Sequence, residues 1–205
     1  MARKPDRLWK VLGTKRECLV SGTEYRYPPK AWTKHLDPES LALCVWGYHY
    51  AEGPQVLHWL GEGLLCEVER CAEHKPLRGD NKAVSCRLRI VRMFVLDARV
   101  LRLFACDCAE RALRRERKQG REPDPRSWEC VRIARLYAVG KATKEELAAA
   151  HAAADAAAYA AYATAAAVSA AYTAANAAVS AAYAAGANAK ERRWQYGRLL
   201  ELVGA

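Results

Sequence analysis

The stretch from Ala148 to Ala189 holds 27 alanines in 42 residues, and this run constrains the fold more than any other feature of the chain. Alanine is the best helix former because ordering it costs no side-chain entropy. Its methyl group is too small to build a conventional core, so a helix made of it approaches its neighbours almost backbone to backbone. Asp155 is the sole Asp, Glu, Lys or Arg in the run. The larger side chains recur: Val168-Ser169-Ala170-Ala171-Tyr172 returns as Val179-Ser180-Ala181-Ala182-Tyr183, a step of eleven residues. Eleven residues make almost three whole turns, so Val168, Tyr172, Val179 and Tyr183 are expected to stack in one stripe with a slight right-handed drift. Thr143 and Glu146 form a capping box at the start. The pattern predicts a long helix over about 144–186.

The first half of the chain follows a different period. Leu64, Cys66 and Val68 alternate with Glu67 and Glu69, and Val84, Cys86, Leu88 and Ile90 alternate with Arg87 and Arg89. Both segments read as half-buried strands. If they pair, the glutamate row faces the arginine row across the sheet. Leu43 to Tyr50 is a third strand candidate, Pro54 to Leu60 a short helix, and Thr14 to Pro38 a loop with one weak strand. Near Asp97 the period becomes helical. One helix is expected over Asp97–Lys118 with Asp97 as its cap, and a second after Ser127, its cap, ending at Gly140. Trp194, Leu199, Leu200 and Leu202 predict an amphipathic C-terminal helix. The fold expectation is therefore α+β: a small mixed or antiparallel sheet domain over residues 1–95, then an alanine-rich helical domain over 96–205.

A net charge of +10 favours polyanions or acidic protein partners. The charged N-terminus is not followed by an apolar signal segment. The alanine run carries His151, Asp155, Asn176 and Asn188, which argues for a buried or partner-facing helix rather than a membrane span. Eight cysteines without an export signal read as reduced core residues. A cytoplasmic protein is expected, with self-association through the alanine-rich helix as one use of that surface.

Two segments carry resemblances. Arg102-Leu103-Phe104-Ala105-Cys106-Asp107-Cys108-Ala109-Glu110-Arg111-Ala112-Leu113, then Ala134-Arg135-Leu136-Tyr137-Ala138-Val139-Gly140-Lys141-Ala142-Thr143, the alanine run and Trp194-Gln195-Tyr196-Gly197-Arg198-Leu199-Leu200 together resemble an alanine-rich helical domain of actinobacterial and phage proteins labelled as immunity proteins. The N-terminal half resembles an uncharacterised domain of phages and their hosts, through Cys44-Val45-Trp46-Gly47-Tyr48-His49, Leu65-Cys66-Glu67-Val68-Glu69 and Asp80-Asn81-Lys82-Ala83-Val84-Ser85-Cys86-Arg87. Tyr50 stands where that family has a small residue. The resemblances imply a phage-associated accessory protein that neutralises a host defence or toxin component by binding it, through a protein partner or a small anionic ligand.

Three groups of residues are candidates for chemistry. Tyr48, His49 and Tyr50 follow Gly47, and this glycine-aromatic strand is similar to one in ADP-ribosyltransferases, where aromatics cradle nicotinamide. That likeness implies a nucleotide-handling enzyme centred on His49, with Tyr48 lining the cleft and Glu67 as the stabilising carboxylate. Without such a cleft, His49 is a hydrogen-bonded strand residue. Arg87, Arg89 and Arg92, with Arg114, Arg115 and Arg117 in the block that ends the first helix, are the binding candidates for a nucleic acid, nucleotide or acidic protein. As plain chemistry, the second cluster is a solvated helix end whose cations complement the dipole. Cys66, Cys71, His74 and Cys86 invite a zinc reading, but their spacing matches no common knuckle. They are expected to be core residues, with no metal and no cofactor, and the favoured function is non-enzymatic binding.

Overall fold

The alternation that begins at Leu64 forms a strand, and that strand organises the first half of the chain. The computed structural model describes residues 6–19, 25–163 and 189–205. The protein is α+β, and it divides into two compact units, Met1–Asp97 with Val203–Ala205, and Ala98–Leu202. The first unit holds strands β1 (Leu8–Leu12), β2 (Tyr48–Glu52), β3 (Gly63–Arg70), β4 (Leu77–Arg78), β5 (Ala83–Ser85) and β6 (Leu88–Leu96). They form one sheet in the order β4-β5-β2-β1-β3-β6, with every neighbouring pair antiparallel.

The period-two reading places the inward residues well. Cys66, Val68, Leu88 and Ile90 join Leu12, Tyr27, Tyr48 and Tyr50 in one buried cluster, while Val84, Cys86, Cys71 and Leu41 form a second. The glutamate and arginine rows do face each other. Glu69 lies opposite Arg89 and is ion-paired with it, but a bulge between Glu67 and Val68 shifts the register by one, so Glu67 meets Arg92 instead of Val91.

Several expected boundaries change. The strand expected over Leu43–Tyr50 runs instead over Tyr48–Glu52, preceded by a tight loop in which Ala42 and Trp46 exchange backbone hydrogen bonds of 3.0 and 2.9 Å. The strand expected from Val84 through Ile90 is two strands, interrupted at Cys86 and Arg87. Pro54–Leu60 becomes a 3-10 helix over Gly53–Trp59. The central strand β1 has no sequence signal of its own, because Trp9, Lys10 and Leu12 are all buried and period two is lost.

The second unit holds α1 (Ala98–Lys118), α2 (Pro125–Ala138), α3 (Lys144–Ala163) and α4 (Ala189–Val203). Asp124, not Ser127, caps α2: its carboxylate accepts the Arg126 N–H at 2.8 Å, with Pro125 opening the helix. The capping box forms as expected, Glu146 N–H to Thr143 Oγ1 at 3.1 Å and Thr143 N–H to Glu146 Oε2 at 2.7 Å. The helix expected over 144–186 is described as far as Ala163, and the stripe of Val168, Tyr172, Val179 and Tyr183 lies outside the described residues. No helix among the described residues is long and apolar enough to cross a membrane.

Small side chains leave this unit short of apolar packing, and ion pairs tie its helices together. Asp107 on α1 accepts from Arg135 of α2 and from Arg198 of α4, both at 2.7 Å. Glu191 of α4 is only 5% exposed and pairs with Arg111 and Arg115 of α1, and Arg111 also stacks on Trp194. Each charge-assisted bond contributes about 1.5–3 kcal/mol when shielded, and less here because the arginines reach solvent. Asp107→Ala is expected to lower unfolding stability in urea by about 1–3 kcal/mol. Arg132→Ala, which removes only the exposed partner of Glu129, is expected to leave it essentially unchanged. Equal effects in both variants would show that the Asp107 network contributes nothing special.

Candidate ligand-binding site

The site starts where the sheet comes apart. β1 and β2 pair only at Leu8 with Glu52 and Trp9 with Ala51; towards Lys10 and His49 the ladder stops. The His49 carbonyl is instead taken by the Lys10 ammonium, which donates to it at 2.7 Å. A lysine side chain thus replaces a strand-to-strand hydrogen bond, and a cavity of about 520 Å³ opens along the parted strands. That size is typical of small-molecule sites.

Two constrained backbone positions shape its mouth. Gly47 has φ 122°, and a Cβ there would sit 2.3 Å from Val84 Cγ2, so only glycine lets the loop turn into β2. Cys44 adopts φ 66°, an uncommon conformation for a side-chain-bearing residue. Its N–H points at His49 Nε2, 3.0 Å away. The loop so held presents Val45, 79% exposed, and Trp46, 52% exposed, at the rim.

The wall is aromatic. Tyr25, Tyr27 and Tyr48 pack with ring centroids 5.2 to 5.9 Å apart, and Trp59 closes another side. Burial pushes the Tyr48 and Tyr50 phenols up to about 12 and Tyr27 higher still, so all three remain protonated at neutral pH and act as hydrogen-bond donors or ring faces.

The charge of the site has one sign. Lys10, Lys34 and Lys82 line the cavity, and no carboxylate does among the described residues. Lys82 stacks on Trp59, with Nζ 4.9 Å from the ring centroid. Lys10 is 8% exposed, and its neighbours are the His49 carbonyl and the Tyr27 ring face at 4.9 Å. Burial lowers its pKa to about 8, so it is still mostly a cation at pH 7. Burial, then the Lys10 and Lys82 charges, hold His49 down to about 4. His49 is therefore neutral, with its Nε2 lone pair spent on Cys44.

The six arginines and the carboxylate singled out in the sequence lie elsewhere. Glu67 is held by Arg7 and Arg92, both at 2.7 Å, and lines a separate depression with Arg70 and Arg78. Hydrogen bonds from Arg7 and Arg92 keep its carboxyl below the usual range. It does not join Tyr48 and His49 in the cavity. Arg87 and Arg89 flank the Trp32 ring, at 5.5 and 5.1 Å. Arg114 pairs with Glu110, Arg115 with Glu191 and Arg117 with Glu122. Both arginine clusters are thus largely neutralised within the fold. Of the four residues weighed for zinc, Cys71, His74 and Cys86 converge, whereas Cys66 lies in the sheet core. Lys10, the residue that defines the cavity, gave no sequence signal beyond a lone cation inside an apolar pentapeptide.

Comparison of the chain with models of known protein families, with curated proteins and with solved structures finds no match.

The His49 environment makes a signed prediction. Its folded pKa of about 4 lies below the unfolded value of about 6.5. Between these limits the unfolded chain holds the extra proton, so stability falls as pH drops from 6.5 to 4. His49→Gln keeps an acceptor for Cys44 but cannot titrate. Urea unfolding at pH 7 and pH 4.5 should show the wild-type chain losing about 1–3 kcal/mol more than the variant over that interval. Parallel losses would mean that His49 ionises freely in the folded state.

Proposed function

We propose that this protein is a binding module that holds a small planar anion, of the nucleotide class, in the cavity between β1 and β2. One observation carries the reading: the buried Lys10 ammonium has no carboxylate counter-ion among the described residues. A buried charge is costly unless it is paired, and an anionic ligand supplies the missing partner. Lys34 and Lys82 extend the positive lining, and Trp46, Trp59 and the tyrosines offer faces on which a base can stack. Each base-on-aromatic stack contributes about 1–3 kcal/mol.

Binding rather than turnover is supported by the state of the polar groups. His49 is neutral and already hydrogen-bonded, and Glu67 is locked between two arginines outside the cavity. An ADP-ribosyltransferase-like reaction would need both in one place. Nucleic-acid binding through the arginine clusters is disfavoured by their intramolecular partners. Sequestering such a ligand suits a phage-associated accessory or immunity-like protein that removes a defence or toxin component, acting in the cytoplasm. A protein partner docked on the exposed Trp46 loop is the second use of the same surface.

The test is calorimetric titration with adenosine monophosphate, adenosine and inorganic phosphate. The nucleotide is expected to bind at least tenfold more tightly than either fragment. Lys10→Met is expected to weaken it about 10- to 100-fold, and affinity should decline as pH rises through 8. Equal affinity for nucleoside and nucleotide, indifference to Lys10→Met, or consumption of the nucleotide would each overturn the reading.

A further inference from the structure

Away from the cavity, at the far end of β3, two sulfurs and one imidazole nitrogen come together, with a second imidazole beside one of the sulfurs. Cys71 follows the last residue of β3, His74 lies three residues on, and Cys86 sits in the break between β5 and β6. Cys71 Sγ is 2.9 Å from Cys86 Sγ, and His74 Nδ1 is 3.3 Å from Cys86 Sγ and 3.9 Å from Cys71 Sγ. His35 Nε2 reaches Cys86 Sγ at 3.7 Å from the long loop before β2. We propose that Cys71, His74 and Cys86 bind zinc and that His35, which stands beside Cys86, moves in as the fourth ligand of a tetrahedral site.

The donor set and spacing are those that zinc uses. Zinc–sulfur bonds of about 2.3 Å and zinc–nitrogen bonds of about 2.0–2.1 Å place tetrahedral donors roughly 3.3–3.8 Å apart. The three sulfur–nitrogen distances given above need adjustments of a few tenths of an ångström and the sulfur pair must open by somewhat under 1 Å, while His35, grouped with Cys86 but not with Cys71 and His74, must swing towards them. A carboxylate-dominated site would suit magnesium or calcium; two thiols and two imidazoles suit zinc. A disulfide between Cys71 and Cys86 would leave the approach of His74 to both sulfurs, and of His35 to Cys86, without a reason.

The surroundings hold each ligand in place. Arg70 donates to the carbonyls of Cys71 at 2.8 Å and His74 at 3.3 Å, which fixes the turn bearing both. The Leu36 N–H bonds to the Cys86 carbonyl at 3.1 Å and ties the His35 loop to the site. His74 Nε2 has no hydrogen-bond partner among the described residues, so the polar contacts of that ring lie at Nδ1, facing the sulfurs. Trp32, Leu36, Leu41 and Leu43 form a dry shell around Cys71 and Cys86. Glu73 lies 3.1 Å from His35 Nε2 and competes for that nitrogen when zinc is absent.

Site architecture explains why spacing concealed it. The Cys71-x2-His74 half resembles a knuckle only locally; the third ligand comes from a strand break and the fourth from a loop far upstream. Such a site clamps the loop, β3 and the β5–β6 corner together, which a small sheet unit needs because its core is limited.

The full-length chain, purified under reducing conditions from zinc-replete cells, is expected to carry one zinc per chain by elemental analysis. Replacement by cobalt is expected to give intense visible bands of tetrahedral geometry and a thiolate-to-cobalt charge-transfer band. Cys71→Ser and His35→Ala should reduce metal affinity at least tenfold, whereas Cys66→Ser and Glu73→Ala should retain it. Because Cys71→Ser risks misfolding, the cobalt spectrum of the unaltered chain decides independently. A weak octahedral spectrum, metal content unchanged in the Cys71 and His35 variants, or a Cys71–Cys86 disulfide found by mass in place of metal would overturn the proposal.

Discussion

The contact between the Lys10 ammonium and the His49 carbonyl organises the first unit. In an uninterrupted sheet that carbonyl would bond to β1, and the strands would leave no room between them. Here the side chain reaches across instead, so the middle of the sheet holds a gap rather than a ladder. The arrangement places an ammonium group in a low-dielectric setting with a carbonyl and a tyrosine face for company. Neither neutralises it. The tyrosine cluster and the turned loop at Cys44 and Gly47 line the space beside that cation, and burial, then the Lys10 and Lys82 charges, depress the basicity of His49.

The second unit meets the opposite difficulty. Its helices have little side-chain volume to bury, so cohesion is transferred to arginine–carboxylate bridges radiating from Asp107 and Glu191. Arg111, Arg115, Arg135 and Arg198 are consumed in this way. The positive balance of the sequence is therefore a poor guide to where free positive charge gathers: many of the arginines pair internally, whereas Lys10, Lys34 and Lys82 line a cavity.

Much of the fold was legible from the residues. β3 and the start of β6 alternate because one face is core and the other carries paired charges, and Thr143 with Glu146 announces α3 unambiguously. β1 was not legible, since a central strand buried on both faces loses alternation and Lys10 looks misplaced until its partners are seen. The aromatic run from Leu43 read as strand, yet positive φ at Cys44 and Gly47 turns its first half into a loop. That loop makes the cavity. His49 was found by its neighbours, but its role is passive: its carbonyl, not its ring, holds the lysine. The Cys71 cluster was half visible. Cys66 shares the strand period and was grouped with the others on sequence proximity, whereas His35, distant in sequence, is brought in only by the loop's hydrogen bond to Cys86.

The central claim is that Lys10 is a cation awaiting an anion, and nuclear magnetic resonance of its side-chain Cε and Nζ tests this directly. The account predicts a pKa of about 8 in the free protein, rising by a unit or more when adenosine monophosphate is added. A Lys10 that titrates near the ordinary 10.5, and does not respond to the nucleotide, would contradict it.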